Sequence, residues 1–293
     1  MIVIYNPTAG RRRIRMLWRV LDVLLLAGKR VELVETCWAG HATQLAEQAA
    51  AQGHKMVVAA GGDGTIAEVA GGITGTGCQL GIIPLGTANV LAHELGLPFQ
   101  PEQIAAMLGS ARTREIWPGL AESADGAPFP RKGVFVQMLG AGFDAQVVHQ
   151  ISLPLKRSLG AAAYALQAGR ELGRYSFPTV RVRIDGTPYE AASVIVTKGR
   201  LYAGRHLLAP DMAPTRPGFT VALFERSGPL ATIRYGLALT LGLLPRMPGV
   251  RLLPARSVVI EAHAVPVQTD GDAGGAAPLE VRDAERPIPV VVV

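Results

Sequence analysis

The residues best suited to chemistry lie in the run Val57-Val58-Ala59-Ala60-Gly61-Gly62-Asp63-Gly64-Thr65, followed by the helix-like Ile66-Ala67-Glu68-Val69. An apolar strand leads into a glycine turn and then a helix. Glycines let the backbone approach a ligand closely and take positive φ, and a helix N-terminus offers unpaired N–H groups to phosphate. A carboxylate at Asp63 would be unfavourable beside phosphate unless it holds a metal ion or orients a hydroxyl. The same residues also read as an Asp63-Gly64 tight turn with Thr65 capping a helix.

Leu80-Gly81-Ile82-Ile83-Pro84-Leu85-Gly86-Thr87-Ala88-Asn89 repeats the plan of apolar strand, Gly/Thr turn and helix. Asn6-Pro7-Thr8-Ala9-Gly10 is a third turn of the same polarity, with Arg11, Arg12 and Arg13 behind it. Those arginines form a solvated helix face or, as a group, attract phosphate. Turns at the carboxyl ends of neighbouring parallel strands face one crevice, where open α/β sheets bind ligands.

The elements that must position these turns are legible in the pattern. Residues 1–117 alternate strands (Ile2–Tyr5, Val31–Val34, Met56–Ala60, Leu80–Ile83) with helices (Ile14–Leu26, His41–Ala51, one opening at Ile66–Gly72, and Ala88–Leu95). Such alternation predicts a largely parallel sheet covered on both faces, a nucleotide-binding α/β domain. Glu122–Lys132 reads as a polar linker or hairpin. Residues 118–293 then carry β-branched runs at Val134–Met138, Val180–Ile184, Ser193–Thr197, Phe219–Phe224, Val258–Glu261 and Pro289–Val293, with one helix near Leu155–Leu172. Asp185-Gly186 is a two-residue hairpin turn. This half is predicted to be an antiparallel β-sandwich or open barrel, with its last strand returning to the first domain.

Taken in order, NPTAG (6–10), GGDGT (61–65) with Glu68, and PLGTAN (84–89) resemble the diacylglycerol kinase catalytic family, which includes bacterial lipid kinases and sphingosine and ceramide kinases. The GGDG turn is shared with NAD kinases. Gly140-Ala141-Gly142-Phe143-Asp144 and Thr269-Asp270-Gly271-Asp272 extend the resemblance over nearly the whole chain. It implies a kinase that uses ATP and Mg²⁺ on a lipid hydroxyl. Thr36, Gly61, Gly62, Asp63, Gly64, Thr65, Ile66 and Thr87 match nucleotide-binding positions, with Asn6, Glu68, Gly86 and Asn89 in the same motifs. Asp63 would act through the metal. Asp272 matches the general base on the acceptor hydroxyl, and Asp270 is the next candidate in that turn.

The chain departs from the family's pattern in places. Asp272 stands where Glu is usual, Ala67 where Asn is frequent, and Val90–His93 where the family often has Asp-x-Ala-Arg. Some members hold a structural Mg²⁺ in the second domain; here Ala209–Gly218 has Pro217 where an aspartate is needed, so that metal is not carried over. Two rivals to a lipid kinase follow: a kinase of a soluble hydroxyl compound such as NAD, and a catalytically weak nucleotide-binding regulator.

Other chemistries lack their residues. The sequence has no G-x-x-x-x-G-K-[ST], no H-E-x-x-H and no G-x-S-x-G, and only Cys37 and Cys78. Its net charge of +6 suits an anionic ligand or surface. The basic residues are dispersed without aromatic-rich strands, which argues against nucleic acid. No secretory signal is evident, so a cytoplasmic protein is expected, and a homodimer is compatible with the sequence. Tyr235–Leu244 is apolar, with Arg226, Arg234, Arg246 and Arg251 around it. It reads as a core helix with a solvated basic edge, or as a peripheral contact with an anionic membrane. Leu153–Arg157 is a weaker segment of the same kind.

Overall fold

The computed structural model describes residues 1–8, 13–110, 112–124, 126, 133–152, 161–262 and 264–293. Arg11, Arg12, most of the expected linker and Leu153–Arg157 lie outside the described residues.

The first sheet contains β1 (Ile2–Tyr5), β2 (Glu32–Glu35), β3 (Met56–Gly61), β4 (Gln79–Pro84) and β5 (Thr113–Ile116). Its order is β2, β1, β3, β4, then the C-terminal strand Ile288–Val291, then β5. The first four strands run parallel. Ile288–Val291 is parallel to β4 and antiparallel to β5. β1 and β3 are buried throughout, as strands covered on both faces must be.

Helices α1 (Ile14–Leu26) and α2 (His41–Ala51) fall where their apolar spacing puts them. In α1 the buried stripe is Leu17, Val20, Leu21 and Leu24, the 3.6-residue period of a core-facing helix. Helix α3 (Asp63–Ile73) starts three residues earlier than the apolar pattern suggested, with Gly62 as its N-cap. Thr65 is therefore inside the helix and does not cap it. Helix α4 (Val90–Glu94) is shorter than expected because Asn89, in a left-handed conformation (φ 46°), forms its N-cap. The sequence reading gave no place to α5 (Pro101–Ser110) or β5.

The second half is an antiparallel β-sandwich. One sheet orders Thr187–Ala191, Val180–Ile184, Ser257–Ile260, Leu279–Asp283, Gly119–Ser123 and Val134–Phe135. The other orders Val250–Ala255, Phe219–Phe224, Ser193–Thr197, Met138–Ala141, Pro266–Thr269 and Asp272–Ala276. Phe135, Val182, Val194, Val221, Val258 and Val267 belong to the core they share. Asp185 and Gly186 both have positive φ (45° and 85°), the signature of a tight two-residue hairpin.

The expected single strand Val134–Met138 is in fact broken at Val136-Gln137, and the chain passes there from one sheet to the other. The N–H groups of Val136 and Gln137 bond to a side chain instead of a strand. The helix expected near Leu155–Leu172 is described over Ala161–Glu171, the helix-like Tyr235–Leu244 belongs to a helix that begins at Pro229 and ends at Thr240, and Phe143–Gln150 is a helix that was not expected. Among the described residues no helix is long and apolar enough to cross a membrane.

Candidate functional site

The turns after β3 and β4 pack directly on each other. The N–H groups of Leu85 and Gly86 donate to the Gly61 carbonyl at 2.9 and 3.2 Å. A Cβ on Gly62 would stand 3.3 Å from the Gly86 Cα, and one on Gly86 would run into the Gly62 Cα. Likewise, a Cβ on Gly61 would strike the Thr65 side chain. Gly61, Gly62, Gly64 and Gly86 all have ordinary φ, so the expectation of positive φ is corrected. Glycine is needed because two backbone turns and a helix meet without room for side chains.

The third turn is tied in by Asn6. Its Nδ2 donates to Thr65 Oγ1 at 3.0 Å, while its Oδ1 accepts from the N–H and hydroxyl of Thr8. Arg13 Nη1 reaches the Pro84 carbonyl at 3.2 Å. The three turns thus meet at the carboxyl ends of β1, β3 and β4. There β1 lies between β2 and β3, so successive connections leave it in opposite directions, the usual ligand crevice of such sheets.

Asp63 sits in the first turn of α3, yet its Oδ1 accepts the N–H of Val90, at the start of α4, at 2.6 Å. Burial pushes this carboxyl up to about 6 and the nearby Asp270 adds to the rise, while backbone N–H groups of Val90, Leu91 and Asn89 oppose it. At the other end of α4 the buried Glu94 carboxylate accepts from Arg200 N–H, Arg200 Nε and Leu201 N–H at 3.0–3.1 Å. Helix α4 therefore links Asp63 to the second half. Sequence reading missed Glu94, because nothing local marks a partner more than a hundred residues away.

The second half enters the site through one hairpin. Asp270 (φ 50°) and Gly271 (φ 82°) form a two-residue turn between Pro266–Thr269 and Asp272–Ala276. The Asp270 carboxylate accepts the N–H groups of Val136, Gln137 and Met138 at 2.8–3.0 Å. Asp272 lies against Gly64: a Cβ on that glycine would collide with Asp272 Oδ2. The hairpin is braced by Gln268, whose Oε1 accepts Gly271 N–H at 2.8 Å and whose Nε2 donates to Asp144 at 3.2 Å. Burial pushes the Asp144 carboxyl up to about 6, and among the described residues its Oδ1 has no hydrogen-bond partner.

Other expected residues fall into two groups. Glu68 turns away from the glycine turns: its carboxylate accepts Gly40 N–H and Ala42 N–H at 2.9 and 3.1 Å, fixing the N-terminus of α2. Ile66 is core. Thr36 follows β2 with its N–H on Tyr5 O at 2.8 Å, and the same loop presents an exposed Trp38 stacked on His41. Thr87 is exposed at the crevice. Asn89 is buried and donates to the Gly86 carbonyl at 2.7 Å, and among the described residues its Oδ1 has no partner.

Around Pro217 the structure shows an ammonium group. The buried Lys198 donates to Gly218 O at 2.7 Å and Asp283 Oδ1 at 2.5 Å, with its charge 4.5 Å from the Phe219 ring centre.

Comparison with known proteins agrees with this architecture. Residues 1–120 match the diacylglycerol kinase catalytic domain. Residues 137–292 match the YegS C-terminal NAD kinase beta sandwich-like domain. A diacylglycerol kinase of Bacillus subtilis (strain 168) is 29% identical over 296 residues, covering 99% of this chain and 95% of that protein. One of Staphylococcus carnosus (strain TM300) is 28% identical over 295 residues, covering 98% and 93%. Two crystal structures from Bacillus anthracis str. Sterne share the fold. The first superposes with a TM-score of 0.80 at 21% identity, covering 100% of this chain and 94% of that one. The second, a diacylglycerol kinase, gives 0.71 at 18%, covering 100% and 96%. With both halves matched in order, the chain belongs to the family that joins a diacylglycerol kinase catalytic domain to a YegS-type β-sandwich domain.

Proposed function

We propose that the chain is an ATP- and Mg²⁺-dependent lipid kinase, acting in the cytoplasm, that moves the γ-phosphoryl group of ATP to the hydroxyl of a lipid such as diacylglycerol or a sphingoid base. The observation that carries this reading is the meeting of Asp272, from the second half, with Gly64, next to Asp63, at the carboxyl ends of the first sheet. A phosphoryl donor and an acceptor need to be held side by side, and this contact brings a carboxylate of the second half against the glycine turn of the first. The named relatives, diacylglycerol kinases matched over almost their full length, support the same class.

The residues present fit both ATP and Mg²⁺. The glycine turns leave half-buried backbone at Gly62 and Gly64 beside the α3 N-terminus, and among the described residues Asn89 Oδ1 is a buried acceptor without a partner, suited to a ligand's donor or a cation. Asp63 supplies hard carboxylate oxygen, and burial makes its charge costly unless a cation balances it. ATP would lie on the glycine turns and Thr87, and Mg²⁺, held with Asp63, would neutralise charge on the transferred group.

Within that frame the chain's own residues do the positioning. Asp272 accepts the acceptor hydroxyl proton as its oxygen bonds to the γ-phosphorus and the bond to the bridging β–γ oxygen breaks, releasing ADP. Asp270 is a positioning residue that locks the hairpin to Val136–Met138. Functionally the chain divides near Trp117-Pro118, the nucleotide side before it and the acceptor side after.

Labelled ATP with a panel of diacylglycerol, sphingoid base, isoprenoid alcohol and NAD tests the reading. Labelled product extractable into organic solvent is the expected result. Label found only in phosphorylated NAD would make the protein a soluble-substrate kinase, and no turnover on any acceptor would favour a regulator.

A further inference from the structure

Lys198 follows the strand Ser193–Thr197, and its side chain is fully buried at one end of the sandwich. Its ammonium closes a ring of three residues. Nζ donates to Gly218 O at 2.7 Å and to Asp283 Oδ1 at 2.5 Å, while Asp283 Oδ2 accepts the Gly218 N–H at 2.6 Å. Gly218 lies just before Phe219–Phe224, in the sheet of Ser193–Thr197, and Asp283 ends a strand of the other sheet. The ring therefore clips the two sheets together. It also sits beside the seam between the halves. There the Ala284 N–H donates to Pro118 O, and Arg200, close behind Lys198 in the chain, pairs with Glu94.

The oxygens around this ammonium are those of a cation site. A backbone carbonyl and a carboxylate are hard ligands of the kind a divalent ion takes. Two features suit the site to an ammonium instead. Its third contact is the Phe219 ring, centred 4.5 Å away, which attracts an ammonium but offers no oxygen to a divalent ion. One carboxylate balances the charge of a lysine, whereas a divalent ion calls for more, and the residue before Gly218 is Pro217. With Nζ already on both oxygens, a structural Mg²⁺ of the kind some family members hold does not fit here.

We propose that the Lys198 ammonium is a built-in cation that takes the place of a structural metal, so that the second half of this chain closes without a divalent ion. Any Mg²⁺ requirement then belongs to nucleotide binding and turnover alone. Lys198 and Pro217 act as one exchangeable pair, and Lys198→Ala/Pro217→Asp should turn the site into one for a divalent ion.

Thermal unfolding in Mg²⁺ and in EDTA tests this without turnover, so the result does not depend on the kinase reading. Every protein compared carries Asp63→Asn, which keeps the crevice from responding to the metal. With Lys198 in place, the unfolding midpoint should be the same in both solutions. Lys198→Ala/Pro217→Asp should unfold about 2–4 °C higher in Mg²⁺ than in EDTA. Lys198→Ala alone, left with one carboxylate, should gain less. A midpoint that falls in EDTA with Lys198 in place would overturn the proposal, because a divalent ion would then be part of the fold. So would a double variant that responds to Mg²⁺ no more than Lys198→Ala does, or one that folds in neither solution.

Discussion

Asp270 and Asp272 are separated by a single glycine, yet their carboxylates serve different parts of the molecule. Asp270 accepts three backbone N–H groups where the chain crosses between the two sheets of the sandwich. Asp272 lies against Gly64 in the first half. The left-handed φ of Asp270 and Gly271 makes this possible, because the turn reverses the chain within two residues. One hairpin thus contains its own anchor and the residue it presents.

The two aspartates should therefore fail differently. Asp272→Asn should lower kcat by about 10²–10⁴-fold, the usual worth of a placed general base, with little change in thermal stability. Asp270→Asn should lower stability by about 1–3 kcal/mol, because an amide cannot accept three N–H groups as a carboxylate does. Its activity should fall only as far as the hairpin shifts. Calorimetry beside steady-state kinetics separates the two. Near-wild-type turnover in Asp272→Asn would remove that residue from the mechanism.

Asp63 should make stability depend on pH. Its carboxyl is raised from 3.8 to about 6, so between those values the folded protein holds a proton that the unfolded chain has lost. Stability contributed by this group is then full below the lower value, declines as pH rises through the window, and stays low above it. Asp63→Asn should accordingly raise stability at about pH 8 by about 1–3 kcal/mol, change little near pH 4, and abolish metal-dependent turnover. A slope will persist, since Asp144 is raised to about the same value. Equal destabilisation of Asp63→Asn at both pH values would mean that its bond to Val90, not its charge, is what matters.

The elements of the first half were legible because each sits on a strong local signal. Ile14–Leu26 and His41–Ala51 have the helical period, and the strands of the first sheet are short apolar runs between turns. The polarity of the three glycine turns was legible too, but not why they need glycine: contact of Gly62 with Gly86 is a property of two strands side by side. The break at Val136-Gln137 was hidden, because β-branched and apolar residues read as one strand whichever partner takes their N–H groups. Asp270-Gly271 reads like Asp185-Gly186, yet Asp185 is exposed and Asp270 is buried by residues more than a hundred positions away. Tertiary partners, not propensity, decide which of two identical turns becomes part of a site.

Glycine substitutions should rank by what a Cβ meets. Gly86→Ala drives a methyl group into the Gly62 backbone, whereas Gly62→Ala meets only the Gly86 Cα at 3.3 Å. Gly86→Ala should cost about 1–3 kcal/mol and Gly62→Ala less, with nucleotide affinity falling in the same order. Denaturant midpoints and nucleotide titration check the ranking. Full stability in Gly86→Ala would show that the β4 turn moves freely from the β3 turn.

Lys198 and Asp283 give the last prediction. The lysine side chain is fully buried while that of Asp283 is 22% exposed, so water can reach one partner and not the other. Removing the lysine leaves a carboxylate that can recruit solvent and still accepts Gly218 N–H. Removing the aspartate leaves an ammonium with one carbonyl and a ring face, and no route to water. Breaking such a pair costs about 3–5 kcal/mol, and Asp283→Ala should lie at the upper end with Lys198→Met below it. Burial already holds the lysine below its usual range against the pull of Asp283. Without that pull its folded value drops further, so the folded state binds fewer protons than the unfolded chain at neutral pH. The penalty in Asp283→Ala is then largest at low pH and fades as pH climbs towards the ordinary lysine value, giving stability that rises with pH. Urea unfolding at about pH 7 and about pH 9.5 should show Asp283→Ala recovering part of its loss and Lys198→Met recovering none. A pH-independent loss in Asp283→Ala would mean that the stranded ammonium finds another partner.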